Sequence, residues 1–204
     1  MVVMSAALKK VSGKVAGSTA AKTANVVQLR IELRWIRPKV WRRVLVPSSI
    51  TLAKLHRVIQ AAMGWTNSHL HEFVIGQQRY GEPDPDWDTD GAVISERKAT
   101  LQAALLGHKS ARYIYDFGDH WEHEVKLEVP LAKHAGLKVP ICVDGKNACP
   151  PEDCGGPPGY AEFLRAVADP AHPEYDEMIE WAGRSWDATA FNIDLANREI
   201  NSLR

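Results

Sequence analysis

The stretch Tyr113-Ile-Tyr-Asp-Phe-Gly-Asp-His-Trp-Glu-His-Glu-Val-Lys-Leu-Glu128 decides how this chain is expected to fold. Two runs in and beside it, Arg112–Phe117 and Trp121–Val129, alternate as strands do, and Gly118 and Asp119 lie between them. Glycine tolerates positive φ and aspartate can bond its own backbone, so these two residues suit a tight turn. The pattern therefore predicts a β-hairpin with a polar cluster at its bend.

His123 occupies an unusual place in the second run. With a period of two, it shares a face with Trp121 and the apolar residues that follow, while glutamates and a lysine occupy the opposite face. A buried imidazole is costly unless its ring nitrogens find partners. Either a neighbouring carboxylate such as Asp116 satisfies His123, or His123 belongs to a functional site.

The composition is typical of a globular protein without a strong overall charge. The sequence has 204 residues, of which 45% are hydrophobic, and its formal net charge is zero. This length suits one domain, which we place at residues 26–204. Residues 1–25 hold lysines and small residues but no acid, which predicts a disordered basic tail. No apolar run approaches the roughly 20 residues that cross a bilayer and no secretory signal is visible, so a cytoplasmic location is expected.

The other local patterns alternate strand and helix before becoming helical. Residues 27–35 and 40–46 alternate as a second hairpin with an arginine-rich outer face. Residues 52–63 carry apolar side chains at helical spacing, with Ser49 or Thr51 as the cap and a glycine as the stop. The remaining predicted elements are a short helix at 99–106, a strand at 138–143, and helices starting at Tyr160 and spanning 174–182 and 194–203.

Charge is distributed unevenly along the chain. Residues 26–57 carry eight basic side chains and one acid, whereas residues 152–199 carry eleven acids and three arginines. This polarity either docks the two halves together or leaves a basic face for nucleic acid or an acidic protein partner. The residues that would form such a partner-binding surface are Arg30, Arg34, Trp35, Arg37, Trp41, Arg42 and Arg43.

Histidines and cysteines give only weak signals for a metal. His69 and His71 are two apart, so on a strand they point to one face. Three cysteines follow a Cys-x6-Cys-x4-Cys spacing that differs from the paired Cys-x2-Cys of common zinc sites. We expect reduced thiols and no cofactor, with zinc as the less favoured alternative. Its candidate ligands are His69, His71, His123, Cys142, Cys149 and Cys154.

The acidic stretch Glu82–Gly91 has carboxylates at alternate positions, as a calcium-binding loop does. Its prolines and the missing distal glutamate depart from that motif. We predict a solvated loop there.

Three blocks together resemble a known family. They are Ser68-His-Leu-His-x-Phe73, Tyr115-Asp-Phe-Gly-Asp-x-Trp-x-His123 and Ala148-Cys-Pro-Pro-Glu-Asp-Cys-Gly-Gly-Pro-x-Gly-Tyr160. In this order, and followed by acidic helices, they resemble the plasmid pRiA4b ORF-3-like family from about residue 26 to the C-terminus. The resemblance implies an α+β roll with a mixed, mainly antiparallel sheet packed by helices. It also implies a link to TnpR-like proteins of bacterial plasmids and insertion sequences, but the chain lacks the serine-centred motif of a recombinase.

Three functions remain open at this level. An accessory module could bind nucleic acid or protein through the arginine-rich hairpin, since arginine and tryptophan grip phosphate and stack bases. A metal-assisted hydrolase is the alternative, and it requires the histidine pair and the first hairpin to end on one face of the sheet. A third interpretation makes these sequence blocks purely architectural. The candidate functional cluster comprises His69, His71, Asp116, Asp119, Trp121, His123, Glu152 and Asp153.

Overall fold

The computed structural model describes residues 26–83, 92–131, 138–184 and 186–203. The predicted tail at 1–25 and most of the predicted solvated loop lie outside these ranges. The strands are β1 (Val26–Leu33), β2 (Trp41–Pro47), β3 (His71–Ile75), β4 (Gln78–Gly81), β5 (Val93–Ser95), β6 (Ser110–Tyr115), β7 (Trp121–Leu131) and β8 (Ile141–Lys146). The helices are α1 (Leu52–Met63), α2 (Leu101–Ala104), α3 (Gly156–Ala168), α4 (Tyr175–Ala182) and α5 (Ile193–Ser202).

The described strands form one sheet in the order β5-β4-β3-β6-β7-β1-β2-β8. Neighbouring strands are antiparallel except for the parallel pair β4 and β5. The predicted α+β fold with a mixed, mainly antiparallel sheet and a helical C-terminal third is therefore confirmed. No helix among the described residues combines the length and the apolar character that a membrane crossing requires.

The two faces of the central strands differ in the way that their alternation predicts. Along β1, Leu29, Ile31 and Leu33 are buried in the core, whereas Arg30 and Glu32 on the opposite face are half-buried. Helix α1 packs its apolar residues into the same core, because they recur at helical spacing. The sheet thus has a face covered by helices and a face that carries charged side chains.

Helix α1 begins and ends where its capping residues require. The hydroxyl of Thr51 accepts a hydrogen bond from the Lys54 amide at 3.3 Å, which satisfies one free donor of the first turn. Gly64 adopts a φ of 93°, and its amide donates to the Gln60 carbonyl at 2.9 Å. Between the two caps, Leu52, Leu55 and Ile59 are buried.

The β6–β7 hairpin is confirmed, but its turn differs from the prediction. Positive φ occurs at Asp116 and His120 rather than at Gly118. The Asp116 side chain accepts hydrogen bonds from the amides of Gly118 at 2.9 Å and Asp119 at 3.3 Å. This local bonding offsets the strain that an aspartate meets in the left-handed region, so glycine is not needed at position 116.

Helix α3 begins at Gly156, earlier than the predicted start at Tyr160. Pro157 and Pro158 occupy its first turn, where a proline loses no hydrogen bond because the first amides of a helix have no partner within it. The run of glycine and proline before Tyr160 therefore belongs to the start of the helix.

Candidate functional site

Four side chains of the predicted cluster meet at one end of the sheet. Strands β3 and β6 pair antiparallel with His71 opposite Tyr115, and the Asp116 amide extends the ladder by donating to the Leu70 carbonyl at 2.8 Å. This pairing places His69, just before β3, beside Asp116, just after β6. The start of β3 and the turn of the β6–β7 hairpin therefore lie at the same end of the sheet, as the metal-assisted hydrolase hypothesis requires.

The loop before α3 brings two further carboxylates to the same place. The Trp65 indole donates to the Pro150 carbonyl at 3.0 Å, and the Thr66 amide donates to Glu152 Oε1 at 2.7 Å. These two bonds hold the loop against the segment that follows α1. Glu152 and Asp153 consequently face His69.

The distances around His69 are those of a candidate metal centre. Its Nδ1 lies 3.7 Å from Asp116 Oδ2, and its Nε2 lies 3.1 Å from Asp153 Oδ1 and 3.7 Å from Glu152 Oε2. One ligand atom from each of His69, Asp116 and Asp153 lies within 4.8 Å of the other two. His69 Nε2 is shielded from solvent yet makes no hydrogen bond of acceptable geometry among the described atoms.

Glu152 is held firmly on the side of this group. Its carboxylate accepts hydrogen bonds from the Thr66 hydroxyl at 3.0 Å and from the Tyr115 hydroxyl at 3.2 Å. Burial, with the nearby Glu152 charge as the next cause, raises the pKa of Tyr115 to about 12. Tyr115 therefore stays protonated at neutral pH and keeps donating to Glu152.

Asp119 clamps the loop rather than joining the ligand group. Its Oδ2 accepts a hydrogen bond from the Gly155 amide at 3.1 Å. Gly156, at a φ of 67°, lies so close that a Cβ there would stand 2.3 Å from the Asp119 carbonyl oxygen. Gly156 in the third sequence block is thus required by a close approach of two backbones.

Comparison with known proteins places this chain in a family. A family model described as plasmid pRiA4b ORF-3-like protein matches residues 25–195. The chain belongs to the plasmid pRiA4b ORF-3-like family.

Two relatives support the assignment. The uncharacterised protein y4hQ of Sinorhizobium fredii (strain NBRC 101917 / NGR234) is 46% identical over 182 residues, which cover 88% of this chain and 93% of the relative. The crystal structure of a protein of unknown function, MM3350 from Methanosarcina mazei Go1, is similar with a TM-score of 0.77 at 38% identity. That match covers 84% of this chain and 97% of the other. Neither description states an activity, so the function of this pRiA4b ORF-3-like protein must be argued from its site.

His71 points to the same face as His69 but does not converge with it. Its ring stacks on His56 with centroids 3.4 Å apart and planes 2° apart, and its Nε2 lies 2.9 Å from Glu96 Oε2. His56 Nδ1 in turn lies 2.8 Å from the Tyr113 hydroxyl. The two histidines therefore belong to two neighbouring polar groups, and the prediction that they share one cluster is wrong.

Sequence reasoning missed this second polar group. Burial is the main cause that lowers the pKa of His56 from 6.5 to about 4, so the imidazole is neutral at physiological pH. Gln60 also donates to the Tyr113 hydroxyl, at 2.9 Å. The sequence signal for this group was a pair of polar residues in α1, His56 and Gln60, which lie one turn apart among apolar residues.

His123 and Trp121 form part of the core rather than the metal group. His123 is fully buried, and its Nδ1 lies 3.1 Å from the Trp121 carbonyl and 3.3 Å from the Tyr113 carbonyl. Burial lowers the pKa of His123 to about 4, so its neutral ring donates from Nδ1. Asp116, one of the two expected explanations, is not its partner: backbone carbonyls accept from Nδ1, while the buried Nε2 has no hydrogen-bond partner among the described atoms.

The cysteines do not gather with the histidines. Within the described part of the chain, His69, Asp116 and Asp153 are the one group with metal-ligand spacing, so neither Cys142, Cys149 nor Cys154 joins a cluster with a histidine. All three are free, and burial raises the pKa of Cys149 and Cys154 to about 12. These thiols are neutral and behave as small apolar residues.

Arginine side chains of the arginine-rich hairpin lie on the charged face of the sheet, where strand β7 supplies acidic neighbours. Arg43 Nε lies 2.7 Å from Glu128 Oε2, and Arg34 Nη1 lies 2.6 Å from Glu122 Oε1. Arg30 Nη2 lies 2.9 Å from Glu32 Oε2. Much of the local positive charge is therefore balanced within the sheet, by acids of β1, β7 and β8 rather than by the acidic C-terminal helices.

One predicted partner-binding residue differs in exposure from what a surface requires. Arg42 is only 2% exposed, so its assignment to the surface is wrong. It lies in the core because residues 40–46 alternate and position 42 falls on the covered face. Trp35 is 68% exposed, with the Arg34 guanidinium 4.5 Å over its ring, while the ring of Trp41 lies under Arg30 and Arg43. The exposed Arg37 donates to the adjacent Ile36 carbonyl.

Proposed function

We propose that this protein binds one divalent cation through His69, Asp116 and Asp153 and uses it to hydrolyse a substrate. The observation that carries the proposal is the approach of three ligand atoms from three separate segments to within 4.8 Å. One nitrogen and two carboxylate oxygens suit zinc or manganese. This proposal departs from the sequence-based expectation of no cofactor.

The ligand group is exposed to solvent on one side. Catalytic zinc sites typically use three protein ligands and keep a further position open, whereas structural sites are closed by four. The Asp153 side chain is 70% exposed, so the group opens toward solvent on that side. A cation held here would lower the pKa of a bound water and polarise the bond to be cleaved.

Glu152 has the position of a general base. Its Oε2 lies 3.7 Å from His69 Nε2, yet it does not belong to the group with ligand spacing. Hydrogen bonds from Thr66 and Tyr115 fix its orientation. A carboxylate beside the cation, but not bound to it, can accept the proton of the attacking water.

Calorimetric titration of metal-free protein with zinc and with manganese chloride tests the binding step. The unmodified chain is expected to bind one ion. His69→Ala and Asp153→Asn are each expected to weaken binding at least about 10-fold, because each variant removes one metal ligand. Asp176→Asn, an exposed change in α4, is the matched control and should bind as the unmodified chain does. Unchanged affinity in both ligand variants would refute the site.

Hydrolysis is tested separately with p-nitrophenyl acetate and bis(p-nitrophenyl) phosphate. Glu152→Gln should retain the ion and lose at least about 100-fold of the metal-dependent rate, as expected when a general base is removed. Equal rates with and without the ion would overturn the hydrolase assignment while leaving the metal site intact.

We also propose accessory binding as a second candidate, in the plasmid setting that the family name suggests. The exposure of Trp35 beneath Arg34 favours a stacking contact with a nucleic-acid base or with a protein partner. Filter binding of single-stranded and duplex DNA across a salt series tests it. Trp35→Ala should weaken binding, and negligible binding at low salt would remove this candidate.

A further inference from the structure

A concave region lies beside the Cys149–Glu152 loop. It is a cavity of about 950 Å³ bounded by α1, this loop, α4 and α5. Its apolar walls come from Trp65, Trp181, Trp186, Phe191 and Leu195. Cavities of this size and aromatic character are typical of sites for small molecules.

A buried cation without an acidic partner lines this cavity. Arg42 is 2% exposed, and its guanidinium donates to the carbonyls of Ala62 at 2.8 Å, Trp41 at 2.9 Å and Lys146 at 3.0 Å. It also lies 3.9 Å from the centroid of the Phe191 ring. Across the described ranges, no carboxylate lies within ion-pair distance of it. Buried charges in proteins are normally paired, so this guanidinium lacks the counter-charge that its position calls for.

The packing holds this cation in place. A Cβ at Gly145 would stand 2.9 Å from Arg42 Cδ and 2.5 Å from Phe191 Cε1. The glycine therefore lets the arginine and the aromatic ring lie together against β8. Arginine keeps its proton at any physiological pH, so the positive charge persists in this setting.

The other charged groups that line the cavity are one arginine and two acids. Arg57 is exposed on α1 and lines the cavity, and it makes no ion pair with any described carboxylate. Two acids also line the cavity. Glu152 is already engaged by Thr66 and Tyr115, and Glu199 is exposed on α5.

We infer that this cavity binds a small organic anion with a planar aromatic body. The anionic group would pair with Arg42 and Arg57, and the body would stack among the tryptophan and phenylalanine side chains. This combination satisfies the buried guanidinium and covers the apolar walls at once. The inference stands on residues outside the proposed metal ligands, although Glu152 borders both regions.

The test compares two probes that share an aromatic body and differ in charge. The metal-free full chain is titrated calorimetrically with 1-anilinonaphthalene-8-sulfonate and with neutral N-phenyl-1-naphthylamine. The difference between the two affinities gives the contribution of the anionic group to binding. The sulfonate is expected to bind at least about 10-fold more tightly, which is the size of effect that a charged hydrogen bond gives. Equal affinity for the two probes would overturn the inference of an anion site.

Variants locate the binding. Arg57→Gln should weaken the sulfonate several-fold and leave the neutral probe unchanged, whereas Arg112→Gln, an exposed arginine on β6 outside the cavity, should change neither. Ala61→Phe places a ring in the cavity and should abolish binding of both probes. Sulfonate binding that survives Ala61→Phe would place the probe elsewhere and refute the assignment. His69→Ala should retain sulfonate binding, which separates this result from the metal test.

Discussion

Replacing His123 should make the protein more resistant to acid. The imidazole is fully buried, and burial lowers its pKa from the ordinary 6.5 to about 4. In the unfolded chain the same group takes up a proton as the pH falls below 6.5, while the folded chain resists protonation until about pH 4. The unfolded state then binds more protons, so stability falls as the pH falls through this window and levels off below it.

The size of the effect follows from the two pKa values. One pKa unit corresponds to about 1.36 kcal/mol, so the difference amounts to about 3 kcal/mol between pH 7 and pH 4. Below pH 6, His123 alone should contribute a slope of about 1.4 kcal/mol per pH unit to the free energy of unfolding. Such a loss is a large part of the roughly 5–15 kcal/mol by which a domain is stable.

Urea unfolding from pH 7.5 down to pH 4.5 measures this contribution. His123→Phe and His123→Gln remove the titrating group in two different ways, and the unfolding free energy of both should fall less steeply below pH 6 than that of the unmodified chain. Val125→Ala, on the same face of β7, is the control, because it lowers stability at every pH and leaves the slope unchanged. Parallel curves for the unmodified chain and both His123 variants would refute the argument.

Three further changes test other parts of the structure. Gly156→Ala should destabilise the protein by about 1–3 kcal/mol and weaken metal binding, because the added Cβ would meet the Asp119 carbonyl. Chemical denaturation measures the stability and metal titration measures the binding. Unchanged values would contradict the close contact between Gly156 and the Asp119 backbone. Thr51→Ala should cost about 1 kcal/mol of unfolding free energy through loss of the α1 cap, and no loss would mean that the hydroxyl is dispensable. Arg43→Gln should cost less than about 1 kcal/mol, and this cost should shrink in high salt, since the ion pair is partly exposed.

The fold was largely predictable because its elements carry strong local patterns. Alternation in β1, β6 and β7 and the caps of α1 depend on neighbouring residues, so the sequence displays them directly. The start of α3 was misplaced because two prolines resemble a loop unless their position in a first helical turn is known. Positive φ at Asp116 was hidden for a similar reason, since the side chain bonds that permit it form only in the turn.

The candidate site was predictable in its residues more than in its grouping. His69, Asp116, Glu152 and Asp153 were all singled out and do meet, whereas His71 and His123 were assigned to the same group and lie in other surroundings. Spacing along a strand gives the face of a side chain but not its partner across the sheet. The neutralisation of positive charge on the basic hairpin was hidden for the same reason. The glutamates of β7 become its neighbours only through strand pairing.

The three proposed ligands come from segments distant in sequence: the entry to β3, the β6–β7 turn and the loop before α3. An ion at this point would act as a cross-link that exists only in the folded chain. Its binding energy would add to the free energy of unfolding, by about 2.7 kcal/mol at a hundredfold excess over the dissociation constant. The melting temperature should therefore rise with metal concentration, which makes thermal melting a way to rank candidate ions before any substrate is known.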